Sequence, residues 1–222
     1  MASWSVDDPV LDVWRRLRLT AVRHGQSIWN VERRAQGWLG PGLTVLGHRQ
    51  AAATAAHLAG RTDDVVLSSD LARVVETALP YPVAATTDVR LRELDSGAWA
   101  GKPLAEVERA HADEIARIRA GEDVPRGGAE RFTDLRARIR SLLAELAAAT
   151  PPGTERSVLA FTHGGPVRAL VAEVLGLPDH RVLADPGNCS LTEVLLWIDT
   201  DGSVAAGRLV RYATDDHLTE VS

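Results

Sequence analysis

Five side chains of this sequence, Arg23, His24, Arg73, Glu93 and His163, are of the types that phosphoryl transfer without a metal requires. A neutral imidazole is a competent nucleophile near neutral pH and can carry a covalently attached group. Guanidinium groups stay charged and match phosphoryl oxygens with paired N–H donors, so they can supply the positive charge that Mg²⁺ supplies in other phosphotransfer enzymes. A carboxylic acid can protonate the departing oxygen and afterwards take a proton from water. The five lie far apart along the chain, so the chemistry depends on elements that bring them together.

Two of those elements are apolar strands. Leu17, Leu19, Ala21 and Val22 mark a strand of a parallel sheet that ends at Arg23 and His24, where Gly25 lets the chain turn. Ser157 to Phe161 is a second apolar strand, delivering Thr162-His163-Gly164-Gly165 at its end. Pro166 then suits the first turn of a helix whose buried stripe is Val167, Leu170, Val171, Val174 and Leu175. Ligands of open α/β sheets bind beyond the carboxyl ends of strands, so both histidines hold favourable positions.

The other two residues come from less regular segments. After a short strand at Val65-Val66-Leu67, the cap-type residues Ser68, Ser69 and Asp70 are expected to start a helix over 71–79 that carries Arg73 and stops at Pro80. Glu93 falls in 89–101, read as a mixed loop or edge strand that also holds Asp95 and Trp99.

Between and beyond these, 27–34 reads as a short helix and 36–42 as a loop rich in glycine and proline. Thr44 is a plausible N-cap for an alanine-rich helix ending near Gly60. Helical patterns cover 104–119 and 133–149, the second with Leu135, Ile139, Leu142, Leu143 and Leu146 on one face. The glycine-rich stretch 121–128 between them is expected to be an exposed loop, and 100–131 an insert over the site. Leu191 to Ile198 and Val204 to Tyr212, joined through Asp201-Gly202, resemble an antiparallel hairpin. Residues 1–16 form a leader in which Trp4 and Trp14 suggest docking on the body of the protein or on a partner, with a structural clasp as the expected role, leaving 17–222 as one catalytic domain.

Composition narrows the function classes. With 222 residues, 45% of them hydrophobic, the chain can bury one substantial core. A net charge of −5 with dispersed Lys and Arg argues against a nucleic-acid surface, so any basic site is local. No apolar run approaches the roughly 18 residues needed to cross a bilayer. The single cysteine, Cys189, excludes an internal disulfide, and no Cys/His spacing suggests zinc. A cytoplasmic protein acting on a small molecule, with neither membrane nor nucleic acid as partner, is the simplest expectation. The other histidines, His48, His57, His111, His180 and His217, are read as solvated or packing residues.

The stretch Leu19-Thr20-Ala21-Val22-Arg23-His24-Gly25-Gln26-Ser27-Ile28-Trp29-Asn30 resembles the RHG signature of the histidine phosphatase superfamily, in its phosphoglycerate mutase-like branch. Further segments match in the family's order: Gln36-Gly37 with Leu43-Thr44, Gly47 and Gln50-Ala51; Ser69 to Arg73 with Thr77-Ala78; Leu91 to Asp95 with Gly97, Trp99 and Gly101; and Thr162 to Gly165 with Arg168-Ala169-Leu170 and Asn188-Cys189-Ser190. One RHG arises easily by chance, whereas five ordered matches do not. The resemblance, running from about residue 18 to 198, implies a three-layer α/β/α sandwich around a mostly parallel sheet. It implies His24 as the nucleophile that becomes phosphohistidine, Arg23, Arg73 and His163 as phosphoryl-oxygen binders, and Asn30 as a further phosphate contact. Glu93 takes the role of acid and then base. No cofactor or metal is implied. Ser96 and Ala100 depart from the aromatic and acidic residues usual there, and the segment around Gly127-Gly128-Ala129-Glu130 also differs locally, which touches specificity more than phosphate chemistry.

The expected activity is hydrolysis of a phosphate monoester, with a cofactor-dependent phosphoglycerate mutase-like transfer as the alternative and a non-catalytic phosphate-binding protein ranked last. About thirty residues between Trp99 and Glu130 are too few for an elaborate lid that excludes water from a phosphorylated intermediate, which favours hydrolysis.

Overall fold

The computed structural model describes residues 15–221. Trp4 and Trp14 of the expected leader lie outside them, while Arg15 and Arg16 already belong to the first strand. In chain order the elements are β1 (Arg15–Arg23), α1 (Ile28–Val31), α2 (Val45–His57), β2 (Val65–Ser68), α3 (Ala72–Ala78), β3 (Thr86–Thr87), α4 (Leu104–Ala110), α5 (Ala112–Ala120), α6 (Phe132–Ala148), β4 (Glu155–Thr162), α7 (Gly164–Val174), β5 (Leu191–Ile198) and β6 (Val204–Thr214). The strands form one six-stranded sheet in the order β3-β2-β4-β1-β5-β6. Strands β3, β2, β4 and β1 run parallel, and β5 runs antiparallel to both β1 and β6, so the expected hairpin closes one side of the sheet.

Side chains of a strand alternate between faces, and here both faces are covered. Leu17, Leu19 and Ala21 of β1, with Val158 and Ala160 of β4, pack in one cluster with Leu135, Ile139 and Leu142 of α6 and Val167 and Leu170 of α7. Val22, Leu159 and Phe161 point the other way, into a cluster with Leu58, Val74 and Tyr81. Two helical layers thus sandwich the sheet. A smaller cluster of Ala35, Trp99 and Val107, with Ile115 and Ile118 against it, roots α4 and α5 beside the site.

Several local expectations need correction. Helix α3 starts at Ala72 with Leu71 at its N-cap and no side-chain cap, because Ser69 and Asp70 are committed elsewhere, to His163 and Arg92. The pattern at 104–119 is two helices broken at His111. Residues 89–101 hold two single-turn 3-10 helices and no strand. The stretch 121–128 is not a free loop: Val124 is buried and the Asp123 carboxylate accepts from Phe132 N and Thr133 N, so it caps α6. Gly25 does not have a left-handed backbone. A Cβ there would lie 2.6 Å from the Gly47 carbonyl oxygen, so glycine is needed for close approach to α2 rather than for the turn.

Candidate active site

Strand register assembles the centre. Arg23 pairs with Thr162 across β1 and β4, and Ser68 pairs with Phe161 across β2 and β4. The next residue on each strand, His24, His163 and Ser69, therefore emerges at one edge of the sheet. Backbone bonds continue the register past the strand ends, from His24 N to Thr162 O at 2.9 Å and from Ser69 N to Phe161 O at 3.0 Å. The first turn of α3 begins three residues after Ser69 and carries Arg73 to the same edge. The two imidazoles meet edge to face, with ring centroids 5.3 Å apart.

The tautomer of His24 follows from its neighbour. Its Nδ1 lies 2.7 Å from the Gly25 carbonyl oxygen, which can only accept, so Nδ1 carries the proton and Nε2 keeps its lone pair. Burial, followed by the charges of Arg73 and Arg23, pushes the pKa of this ring well below the usual histidine value. His24 is thus neutral across the neutral range.

His163 is fully buried, and the same causes, burial first and then Arg73, lower its pKa well below normal. Its Nε2 lies 2.9 Å from Ser69 Oγ, and that oxygen accepts a long bond of 3.4 Å from Leu71 N. With the Ser69 hydroxyl donating to Nε2, Nδ1 is the N–H of His163, and this nitrogen is buried without a hydrogen-bond partner.

The two arginines are held by backbone carbonyls in place of carboxylates. Arg73, only 2% exposed, donates from Nη1 to Leu39 O and from Nη2 to Gly37 O. Burial brings its pKa down to about 10, which leaves it charged at neutral pH. Arg23 donates from Nη1 to Pro186 O. The Nε atoms of both are buried and unpartnered. Three unpaired donors beside a free imidazole nitrogen are costly unless an anion accepts from them.

Glu93, from the irregular segment between the single turns 89–91 and 97–99, meets this cluster beside the start of α7. Its carboxylate accepts from Leu94 N at 2.8 Å and from Gly165 N at 3.1 Å. Its charge acts favourably on both Arg23 and Arg73. The backbone is fixed as well, since Glu93 O accepts from Trp38 Nε1 and from Arg138 of α6, whose guanidinium is paired with Glu130. Asp95, the neighbouring carboxylate, is used locally: its Oδ1 accepts from Gly97 N.

A cleft of about 440 Å³ opens above these groups, lined by Arg23, Glu93, Gly164 and Gly165 at its base. Ser96 and Trp99 form part of its wall, and Arg126, Phe132, Arg168 and His180 stand further along it.

Arg23, His24, Arg73, Glu93 and His163 thus come together. Asn30 Oδ1 accepts from Ser27 N and Ser27 Oγ in a capping box at α1 and lies 3.4 Å from Asn188 Nδ2, which also donates to His24 O, so the Nδ2 donors of Asn30 are not spent in these bonds. Trp38 donates through Nε1 to the Glu93 carbonyl oxygen at 2.7 Å and so braces the backbone of the acid. Sequence reasoning missed Ser69, Arg126, Arg138 and the cleft position of His180, which stacks on Phe132. Ser69 stands within a family motif but reads as a helix cap, whereas Arg126 and Arg138 look like ordinary surface arginines. Among the described residues no three of His, Cys, Asp or Glu are grouped to hold a metal, and no helix is long and apolar enough to cross a membrane.

Comparison with known proteins agrees with this geometry. Residues 19–206 match the model of the histidine phosphatase superfamily, branch 1. The chain is 38% identical over 195 residues, 81% of its length and 86% of the relative's, to a glucosyl-3-phosphoglycerate phosphatase of Mycobacterium tuberculosis. It is 34% identical over 190 residues, 80% of its length and 84% of the relative's, to a probable phosphoglycerate mutase of Yersinia pestis. The native structure of a mycobacterial glucosyl-3-phosphoglycerate phosphatase superposes with a TM-score of 0.82 at 33% identity, covering 90% of this chain and all of that one.

Proposed function

Because the chain belongs to branch 1 of the histidine phosphatase superfamily and is a phosphatase of that family, we propose that it hydrolyses a small phosphorylated metabolite without a metal, through a phosphohistidine on His24. The observation that carries this reading is the ring of buried, unpartnered donors, Arg23 Nε, Arg73 Nε and His163 Nδ1, beside the unprotonated Nε2 of His24.

In the proposed reaction Nε2 of His24 attacks phosphorus and the P–O bond to the alcohol breaks. The electron pair leaves on that oxygen, which takes a proton from Glu93. The Nδ1 proton of His24 stays on that nitrogen, hydrogen-bonded to the Gly25 carbonyl oxygen, which disperses the positive charge of the phosphorylated ring. Arg23, Arg73 and His163 bind the phosphoryl oxygens, where charge must be met as the phosphoryl group passes between oxygen and nitrogen. Glu93, now a carboxylate, takes a proton from water as the water attacks phosphorus, which releases phosphate and restores His24.

Similarity to a glucosyl-3-phosphoglycerate phosphatase supports a phosphorylated sugar acid as the substrate class. The relative named as a probable mutase keeps phosphoryl return to a second substrate as the alternative. Turnover of para-nitrophenyl phosphate in the presence of EDTA, together with a panel of phosphorylated metabolites, tests the reading. Release of inorganic phosphate that survives the chelator is expected. Activity lost to EDTA and restored by a divalent ion refutes it, and interconversion of phosphoglycerates without phosphate release favours transfer.

A further inference from the structure

The turn 36–39 grips both the phosphate side and the acid side of the centre. Leu39 N donates to Gln36 O at 3.0 Å and closes the turn, and Gly37 within it has a left-handed backbone with φ +53°. Gly37 O and Leu39 O accept from Nη2 and Nη1 of Arg73 at 2.8 and 3.0 Å, so the turn fixes the guanidinium that keeps its Nε unpartnered. The residue between those two carbonyls, Trp38, donates from Nε1 to Glu93 O at 2.7 Å. Its ring lies against the Arg92 guanidinium, 4.8 Å from the centroid, and Arg92 is paired through two bonds with Asp70, the neighbour of Ser69. A Cβ at Gly37 would lie 2.6 Å from Ser96 N, so the turn also abuts the backbone on the far side of the acid. An indole that is 37% exposed and outside the three apolar clusters adds little to the core, yet it spends its one donor on the peptide of Glu93.

We propose that Trp38 is a positioning residue for leaving-group protonation: its N–H holds the Glu93 peptide in register with the Arg73 guanidinium, through one turn that grips both. This rests on the hydrolytic reading above, in which Arg73 binds phosphoryl oxygens while Glu93 protonates the alcohol oxygen on the same phosphorus. The arginine and the acid act on neighbouring atoms of one substrate, so their placement relative to each other matters more than the placement of either on the sheet. Referring both to a single closed turn supplies that register. Arg138 of α6 donates to the same Glu93 carbonyl at 3.1 Å, so losing the indole N–H loosens the acid without releasing it.

The test is Trp38→Phe in the full chain, which keeps an aromatic ring against Arg92 and removes the N–H. Three quantities are measured: kcat/KM for glycerol 3-phosphate, the burst rate of nitrophenolate from para-nitrophenyl phosphate, and inhibition by inorganic phosphate. The first is measured again with Glu93→Gln as the parent. The expected result is a fall of about tenfold for glycerol 3-phosphate, with burst rate and phosphate inhibition within about threefold of the parent, and no further fall when the change is added to Glu93→Gln. An equal fall for ester and burst, no fall at all, or the same fall in the Glu93→Gln background overturns the inference, because a structural role does not depend on the leaving group or on the acid. If Trp38→Phe does not fold, Trp38 is replaced by 3-benzothienylalanine, in which sulfur stands where the N–H was, and the same outcomes decide. Failure of the hydrolytic reading would show separately, as absence of para-nitrophenyl phosphate turnover by the unmutated chain.

Discussion

Gly165→Ala should damage leaving-group protonation while sparing the fold. A Cβ built at Gly165 lies 2.1 Å from Glu93 Oε1, so the carboxylate must retreat by about 1 Å to reach an ordinary contact. The atom that moves is the end of a flexible side chain, and the nearest other neighbour, Leu135 Cδ2, stands at 3.2 Å, so the helix need not shift. Retreat breaks or stretches the bond from Gly165 N and takes the acid out of line with the departing oxygen. A misplacement of about 1 Å can cost on the order of 100-fold in rate, within the roughly 10²- to 10⁴-fold that general acid catalysis supplies. The assay compares kcat/KM for glycerol 3-phosphate, whose alkoxide needs a proton, with the pre-steady-state burst of nitrophenolate from para-nitrophenyl phosphate, which does not. A fall of roughly 100-fold for the alkyl ester with a burst rate within about fivefold of the parent is predicted. An alkyl rate within threefold of the parent in a folded variant would refute the placement of Glu93 as the acid.

Other perturbations follow from the same geometry. Ser69→Ala removes the hydroxyl that sets the His163 tautomer, so kcat/KM should fall roughly tenfold and orthovanadate inhibition should weaken by a similar factor; undiminished inhibition would show that Ser69 does not orient the ring. His24 and His163 have folded pKa values well below 6.5, so the unfolded chain binds more protons as pH falls. Their contribution to stability is therefore present above about pH 6.5 and lost as the pH falls below it, so the chain should be less stable at about pH 5.5 than at about pH 6.5. Chemical denaturation in phosphate-free buffer checks this, and His24→Asn should reduce the pH dependence without abolishing it, since His163 and His180 also resist protonation when folded.

Much of the architecture was legible because the sheet has both faces covered. Alternation in β1 and β4 sends Leu19 and Ala160 to one layer and Val22 and Phe161 to the other, and such strands read as apolar runs in any one-dimensional scan. The polar residues that end those runs are conspicuous for the same reason, which is why Arg23, His24 and His163 could be found. What was not legible depends on long-range partners. Ser69 reads as a helix cap until β2 and β4 are in register and its hydroxyl meets His163. Asn30 fits a phosphate-binding motif, and its Oδ1 is spent locally on Ser27 N, a cap that the sequence does not announce. Arg138 is one of several arginines on an amphipathic helix, and only the fold brings it to the carbonyls of Arg90, Arg92 and Glu93. The stretch 121–128 has a loop's composition, but Asp123 ties it to α6.

The central claim is covalent: a phosphoryl group resides on His24 during turnover. Rapid mixing with para-nitrophenyl phosphate, a quench at alkaline pH that preserves phosphohistidine, and peptide mass mapping measure it directly. The account predicts phosphate on the peptide containing His24, formed within the burst and absent in His24→Ala, which should also be inactive. Phosphate on another residue, or steady turnover by His24→Ala at a rate near that of the parent, would contradict it.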